Sequence, residues 1–227
     1  MKAIGLFRYG GPEVLGPVEL PEPHASPGQV RVWVRAAGVN PVDSMLRQGL
    51  RASAYRDVEP PFVPGLEVAG TVDEVGAGVE VSAEVALGLD VVGFVNSHGS
   101  HGGYSAYVVL PPASVLRMPA GVSLPEAASF LNNVLTAQNA LDALALAEGS
   151  TLLVTGAAGA VGGYLTQLAS RQGLRVIALA SASDGALVRS FGAQEFIARG
   201  ADAVAAAWAL APSGVDAVAD AALLRSK

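Results

Sequence analysis

The stretch TLLVTGAAGAVGGYLTQLASRQGLRVIALAS (151–181) decides the fold, because it reads as a buried strand, a tight glycine turn, a helix and a second buried strand. Residues 151–155 are a short apolar run, and the helix that follows opens at Ala160 with no bulky side chain before it. The first N–H groups of such a helix have no acceptor within the helix. Together with the positive end of the helix dipole they stabilise a phosphate anion without a lysine, provided the backbone can come close. Gly159 permits that approach. In the register Ala157, Gly159, Gly162 the second and third glycines of the dinucleotide fingerprint are present and the first is alanine; Gly162 allows helix to pack on strand. The backbone of Ala158, Gly159, Ala160 and Val161 is therefore the candidate pyrophosphate cradle.

Working outward from this unit, strands and helices alternate to the end of the chain. A helix ends before Gly192, and a strand covers 195–198. A helix over 202–211 and a strand over 215–219 follow. This is a β-α-β-α-β-α-β order, the pattern of a doubly wound parallel sheet. Upstream, Ser123, Pro125 and Glu126 form a helix start in which Ser123 caps and Glu126 returns the bond, and one helix is expected from there to about residue 147. Before residue 120 the texture differs. Short alternating runs such as KAIGLF, QVRVWVRAAGV, LEVAGTVDEVG, DVVGFV and YSAYVVLP are broken by glycine and proline, which predicts a small twisted antiparallel barrel or sandwich. Val30, Val32 and Val34 mark its apolar face, with Arg31 and Arg35 on the other. The expected division is 1–122 and 123–227.

Composition narrows the function classes. The 227 residues are 51% hydrophobic and 15% charged, ample for one large or two small domains. A formal net charge of −6 without any Lys/Arg cluster argues against nucleic acid as a partner. No cysteine is present, so disulfides and thiolate metal sites are excluded, which fits a cytoplasmic protein. The opening MKAIGLFRYGGPE makes no signal-peptide core, and no uncharged apolar run approaches membrane-spanning length.

Five strings occur in order: AAGVNPVDSMLRQG (36–49), PFVPGLEVAGTVDEVGAGV (61–79), HGGYSAYVVLP (101–111), SLPEAASFLNNVLTAQNAL (123–141) and GAAGAVGGYLTQLA (156–169). Together they resemble the zinc-independent medium-chain dehydrogenases/reductases of the quinone oxidoreductase, or zeta-crystallin, type. The resemblance implies an N-terminal chaperonin-10 (GroES)-like β-barrel domain followed by a Rossmann domain, with the active site in the cleft between them. It also implies NADPH as hydride donor to a small-molecule quinone, enone or related carbonyl.

Zinc-dependent relatives place a cysteine where this chain has Asn40 and a histidine where it has Leu66, and neither residue present here is a strong zinc ligand. His98 and His101, in the loop NSHGSHGG, are read as a solvated pair, with proton donation to product as the alternative role. By resemblance, Asn40 and Thr136 lie beside the nicotinamide, where an amide and a hydroxyl orient the ring. Asp43 is expected to hold the 40–43 loop by accepting backbone bonds, since an unpaired aspartate is ionised at neutral pH. Many family members carry a tyrosine at Met45, and Tyr55 and Asn133 are the candidate replacements as donors to substrate. Asn132 and Asn133 interrupt an apolar helix where the family lines its cofactor cleft.

The choice of dinucleotide falls at the end of the second strand, where an acid selects a free ribose and small polar residues with a cation accommodate a 2′-phosphate. Here Ser181 and Ser183 favour the phosphate, Asp184 stands where the family usually has lysine, and Arg199 offers a bidentate guanidinium. NADPH is thus favoured over NADH. Family chains continue with two more strands and then complete the barrel, so the C-terminal part of the fold is expected to be missing from these 227 residues. Family members commonly dimerise through the edge of the cofactor sheet, which makes a homodimer the assembly to test. A catalytically silent NADPH-binding or structural relative is the alternative to an enzyme.

Overall fold

A computed structural model describes residues 1–82, 84–96, 101–200 and 202–222. Contacts between Cα atoms divide the chain into two compact units, Met1–Asn132 and Asn133–Lys227. This boundary falls later than the change in composition near residue 120. The cause is packing: Ala127, Ala128 and Leu131 are buried in a cluster with Ala69 and Val92, so the segment after 123 belongs to the first unit.

In the first unit the strands are β1 (Lys2–Gly5), β2 (Gly16–Glu19) and β3 (Val30–Ala37), followed by helix α1 (Pro41–Arg47). Strands β4 (Glu67–Val75), β5 (Asp90–Phe94), β6 (Tyr107–Leu110) and β7 (Val115–Arg117) come next, then helix α2 (Leu124–Ala128). β1 and β2 pair with each other, and the remaining five form an antiparallel sheet in the order β6-β3-β4-β5-β7. The alternation expected of β3 is present at Val30 and Val32, which are fully buried with Val68, Val72, Val91 and Val108. Each such side chain contributes on the order of 1.5–3 kcal/mol by leaving water. On the opposite face Arg31 is held by both carboxylate oxygens of Asp73, at 3.0 and 2.9 Å, and lies over the Tyr107 ring. Register shifts between Arg31 and Val32 and between Val34 and Ala36 bend this strand.

The helix expected from 124 to 147 is two helices, α2 and α3 (Leu131–Leu144). At the break, the Ser129 N–H and hydroxyl both donate to the Glu126 carbonyl, which closes α2 in a tight final turn. At the other end, Ala145 at φ 48° terminates α3.

The second unit continues with β8 (Thr151–Thr155), α4 (Ala160–Arg171), β9 (Arg175–Ala180), α5 (Gly185–Ser190), β10 (Glu195–Ala198), α6 (Ala203–Leu210) and β11 (Ala217–Asp220). The sheet is wholly parallel in the order β10-β9-β8-β11. Both faces are covered, which is why β8 and β9 read as continuous apolar runs in place of an alternation. Leu152, Val154, Val176 and Ala178 pack with Leu165 and Ala169 of α4 on one face. Ile177, Leu179 and Ile197 pack with Ala211 and the α6 side chains on the other. Among the described residues no helix is long and apolar enough to cross a membrane.

Candidate active site

Two groups of residues carry recognisable chemistry, one in each unit. In the first, α1 starts at Pro41, where a missing N–H costs nothing, and Asn40 is its N-cap residue. Asp43, in the first turn, reaches back to accept the Asn40 backbone N–H at 2.8 Å. Its other oxygen accepts the Gly65 N–H at 2.9 Å, and the Tyr104 hydroxyl donates to the carboxylate at 3.2 Å. Asp43 is buried and its acceptor capacity is largely used, which matches the loop-holding role read from its sequence context. Burial, then the charge and hydrogen bond of Asp43, push the Tyr104 phenol well above its ordinary range, so it stays a neutral donor.

The Asn40 side chain also bonds outside its own helix. Its Nδ2 donates to Glu67 Oε1 at 2.9 Å, and its Oδ1 accepts Asn132 Nδ2 at 3.0 Å. Glu67 Oε2 accepts the Asn132 backbone N–H at 2.8 Å, closing a triangle. That N–H belongs to the first turn of α3 and has no carbonyl of its own helix to bond, so a carboxylate satisfies it and complements the helix dipole. Glu67 is 1% exposed and Asn40 6%. Room for the triangle depends on Gly38, where a Cβ would stand 2.4 Å from Glu67 Oε1 and 2.5 Å from the Ala128 carbonyl oxygen.

Of the pair flagged in sequence, it is Asn132 that joins Asn40, while Asn133 is half-buried on the next helical position. The break at Ser129 sets the phase of α3, and that phase is not readable from composition. Tyr55 is buried with its ring edge-on to Phe62 at 5.9 Å, and Phe62 stacks on Tyr9 at 5.4 Å, giving the tyrosine a packing role. Glu67 was missed by sequence reasoning. The signal available was a lone acid inside the apolar run PGLEVAG, whose neighbours Gly65 and Val68 are also buried.

Among the described residues no three His, Cys, Asp or Glu side chains are grouped closely enough to hold a metal ion. His98 lies outside the described residues. Burial lowers the His101 pKa below its usual value, so near neutral pH its imidazole is mostly uncharged.

The second group lies at the C-terminal ends of the parallel strands, where open α/β sheets bind ligands. β8 ends at Thr155, and its hydroxyl donates to the Asp220 carboxylate at the end of β11. Gly156 then takes φ +61°, so the left-handed turn residue is Gly156, one position before the alanine that the sequence register assigned. The extended Gly159 is the N-cap of α4. A Cβ on Gly162 would stand 2.2 Å from the Gly156 carbonyl oxygen, so helix and turn touch backbone to backbone here. A Cβ on Gly159 would meet only that same oxygen, at 3.2 Å, and otherwise open space. The cradle therefore has room for an anion over the N–H groups of Ala160 and Val161, with Ala158 half-buried beside them. A nicotinamide dinucleotide fits these residues.

At the end of β9, Arg199 Nη2 donates to Ser181 Oγ at 3.0 Å, and the Arg199 backbone N–H bonds the Ala180 carbonyl. A guanidinium and a hydroxyl, 18 positions apart in sequence, are thus brought together. Ser183 is exposed and its hydroxyl donates to Asp184 at 3.2 Å. Thr136 is exposed on α3.

Residues 26–120 match the alcohol dehydrogenase GroES-like domain. The chain is 34% identical over 200 residues to a quinone oxidoreductase of Rattus norvegicus, an alignment covering 86% of this chain and 57% of that one. It thus spans a little over half the length of the curated relatives it matches. Among solved structures, an NAD-dependent alcohol dehydrogenase is 32% identical with a TM-score of 0.85, covering 96% of this chain and 70% of its own. The mycobacterial protein Rv1454c, solved with NADPH, is 34% identical with a TM-score of 0.79, covering 96% and 66%.

Proposed function

The chain belongs to the medium-chain dehydrogenase/reductase family, and on that footing we propose that it is a zinc-independent, NADPH-dependent oxidoreductase delivering hydride to a quinone, enone or related carbonyl. The observation that carries the reading is the open glycine turn at the head of α4, together with the Ser181–Arg199 pair at the end of β9.

When bound, the dinucleotide supplies the hydride. The chain's own work is to bind and orient. The N–H groups at the start of α4 hold the pyrophosphate, with Ala158, Gly159, Ala160 and Val161 giving the backbone access. Arg199 already lies against the Ser181 hydroxyl, and its planar fork suits the three acceptor oxygens of a 2′-phosphate. Ser183 adds a hydroxyl on the same turn. Asn40 and Thr136 are the polar groups assigned to the nicotinamide, Asn40 through an amide whose orientation the Glu67 triangle fixes. Asn133 is assigned to the acceptor side, as is the hydroxyl of Tyr55, whose ring packs against Phe62. A carbonyl taking up hydride gains negative charge on oxygen, and an amide N–H aimed at that oxygen stabilises the charge more in the transition state than before it. Without a coordinated metal, hydrogen-bond donors of this kind supply the polarisation.

The test is NADPH oxidation measured against a panel of quinones, enones and aldehydes, beside cofactor binding followed by fluorescence. Replacing Arg199 by alanine removes a charge-assisted contact to the extra phosphate, so the KM for NADPH rises roughly tenfold or more while that for NADH changes little. An equal effect on both cofactors rejects the assignment of Arg199. Binding without turnover on every acceptor identifies a nucleotide-binding protein without reductase activity.

A further inference from the structure

Glu67 is the most deeply buried carboxylate side chain among the described residues, and neither of its oxygens meets an arginine or lysine. Both face N–H donors: Asn40 Nδ2 on Oε1 and the Asn132 backbone on Oε2. An asparagine amide has two ends that are easily exchanged, but a carboxylate oxygen that accepts can face only the nitrogen. Glu67 therefore decides which way round the Asn40 amide lies. Asn132 Nδ2 agrees with that choice by donating to the Asn40 oxygen. Counting donors leaves one: Nδ2 carries two hydrogens, Glu67 takes one and a single N–H remains, while Asn132 takes one of the two lone pairs of the oxygen.

Resting on the function proposed above, we propose that Glu67 is a positioning residue for the reaction: it sets the polarity of Asn40 so that the amide nitrogen, through its remaining N–H, meets the reacting partners as a hydrogen-bond donor. Its second task, capping α3 through Asn132, ties that polarity to the start of the helix.

Glu67→Gln tests this with the shape kept. A glutamine has one acceptor and one donor end, so it cannot satisfy both the Asn132 N–H and Asn40 Nδ2. If its oxygen serves Asn132, its NH2 confronts Asn40, and the Asn40 amide turns over to present oxygen. The expected result is a fall in kcat of roughly a hundredfold, the size of losing one aimed donor, with NADPH affinity by fluorescence unchanged. The melting temperature also falls. The double variant Glu67→Gln with Asn40→Asp reverses the polarity of the pair: the NH2 of the introduced glutamine donates to one oxygen of the introduced aspartate, whose other oxygen accepts Asn132 Nδ2. Every bond within the triangle is restored, but the free N–H is gone. Stability should return toward that of the unaltered protein while turnover stays low.

Turnover that recovers along with stability, or a Glu67→Gln protein with unchanged kcat, overturns the proposal, because a merely structural carboxylate predicts one or the other. A separate readout keeps this distinct from the function itself. In the unaltered chain the side-chain amide of Asn40, assigned by its loss in Asn40→Asp, should show one exchange-protected proton by NMR, and Glu67→Gln should abolish that protection. Should the unaltered chain reduce no acceptor, the reading of function fails while this signal still decides whether Glu67 holds Asn40; equal exchange of both protons in the unaltered chain refutes the placement.

Discussion

The surroundings of Asn40 and the head of α4 solve opposite problems with polar groups. Around Asn40 the groups are side chains, deeply buried, and nearly all their hydrogen-bonding capacity is spent on one another. At the head of α4 they are backbone N–H groups with room above them, because a Cβ at Gly159 would meet nothing but the Gly156 carbonyl oxygen and Gly162 lies against that same carbonyl. The first arrangement fixes which way round the Asn40 amide lies. The second leaves a row of donors open for a charged ligand to complete. Orientation and affinity thus come from different chemistry, and substitutions in the two places should separate them.

The largest effect is expected at Gly162. A valine there drives Cβ into the Gly156 carbonyl oxygen, backbone that cannot move aside as a flexible side chain would. Gly162→Val should cost about 3 kcal/mol of stability and abolish NADPH binding, read by thermal melts and cofactor fluorescence. NADPH affinity surviving in that variant would break the assignment of the turn. Gly38→Ala is the matching change in the first unit, where the added methyl meets Glu67 Oε1 and the Ala128 carbonyl oxygen. It should cost about 2 kcal/mol and depress turnover, yet leave cofactor affinity intact. If affinity falls as well, the two regions are not separable in the way described.

The smallest effect concerns Tyr104. Its phenol is held above the ordinary value of 10.0, so below pH 10 it is protonated in both the folded and unfolded states and its stabilising contact is fully present. As pH rises past 10 the unfolded chain releases a proton that the folded one keeps, and stability declines. Tyr104→Phe should remove that decline and lose about 1 kcal/mol at neutral pH, seen in melts taken across the alkaline range. An alkaline slope unchanged in the variant would assign it to another group.

The parallel half of the molecule was legible in the sequence because strands covered on both faces are written as unbroken apolar runs: TLLVT and RVIALA begin and end where β8 and β9 do. The last strand was displaced, expected at 215–219 and found at Ala217–Asp220, since Val215 packs from the preceding turn into the same cluster as Ile177 and Leu179. Turn conformation was harder to read. Nothing in GAAGAVG says which glycine carries the positive φ, and it is Gly156. The break between α2 and α3 depends on Ser129 bonding a carbonyl in its own last turn, a choice decided by the burial of Ala128 and Leu131. In the candidate site, Asn40 could be named because its position in a motif is local. Glu67 could not, because its partners lie 27 and 65 positions away in sequence. Ser181 was legible from its place at the end of the second strand and Arg199 from the family resemblance; the structure brings them side by side because each follows one of two adjacent parallel strands.

The Asn40–Glu67–Asn132 triangle also bears on how such a protein evolves. A thiolate at position 40, as zinc-dependent relatives have, would strip Glu67 of one donor and place a second anion against it in a space closed by Gly38. With no cation to neutralise the pair, the single exchange would be selected against. Interconversion between amide-based and metal-based forms of this scaffold is therefore epistatic, requiring ligands and counter-charge to arrive together.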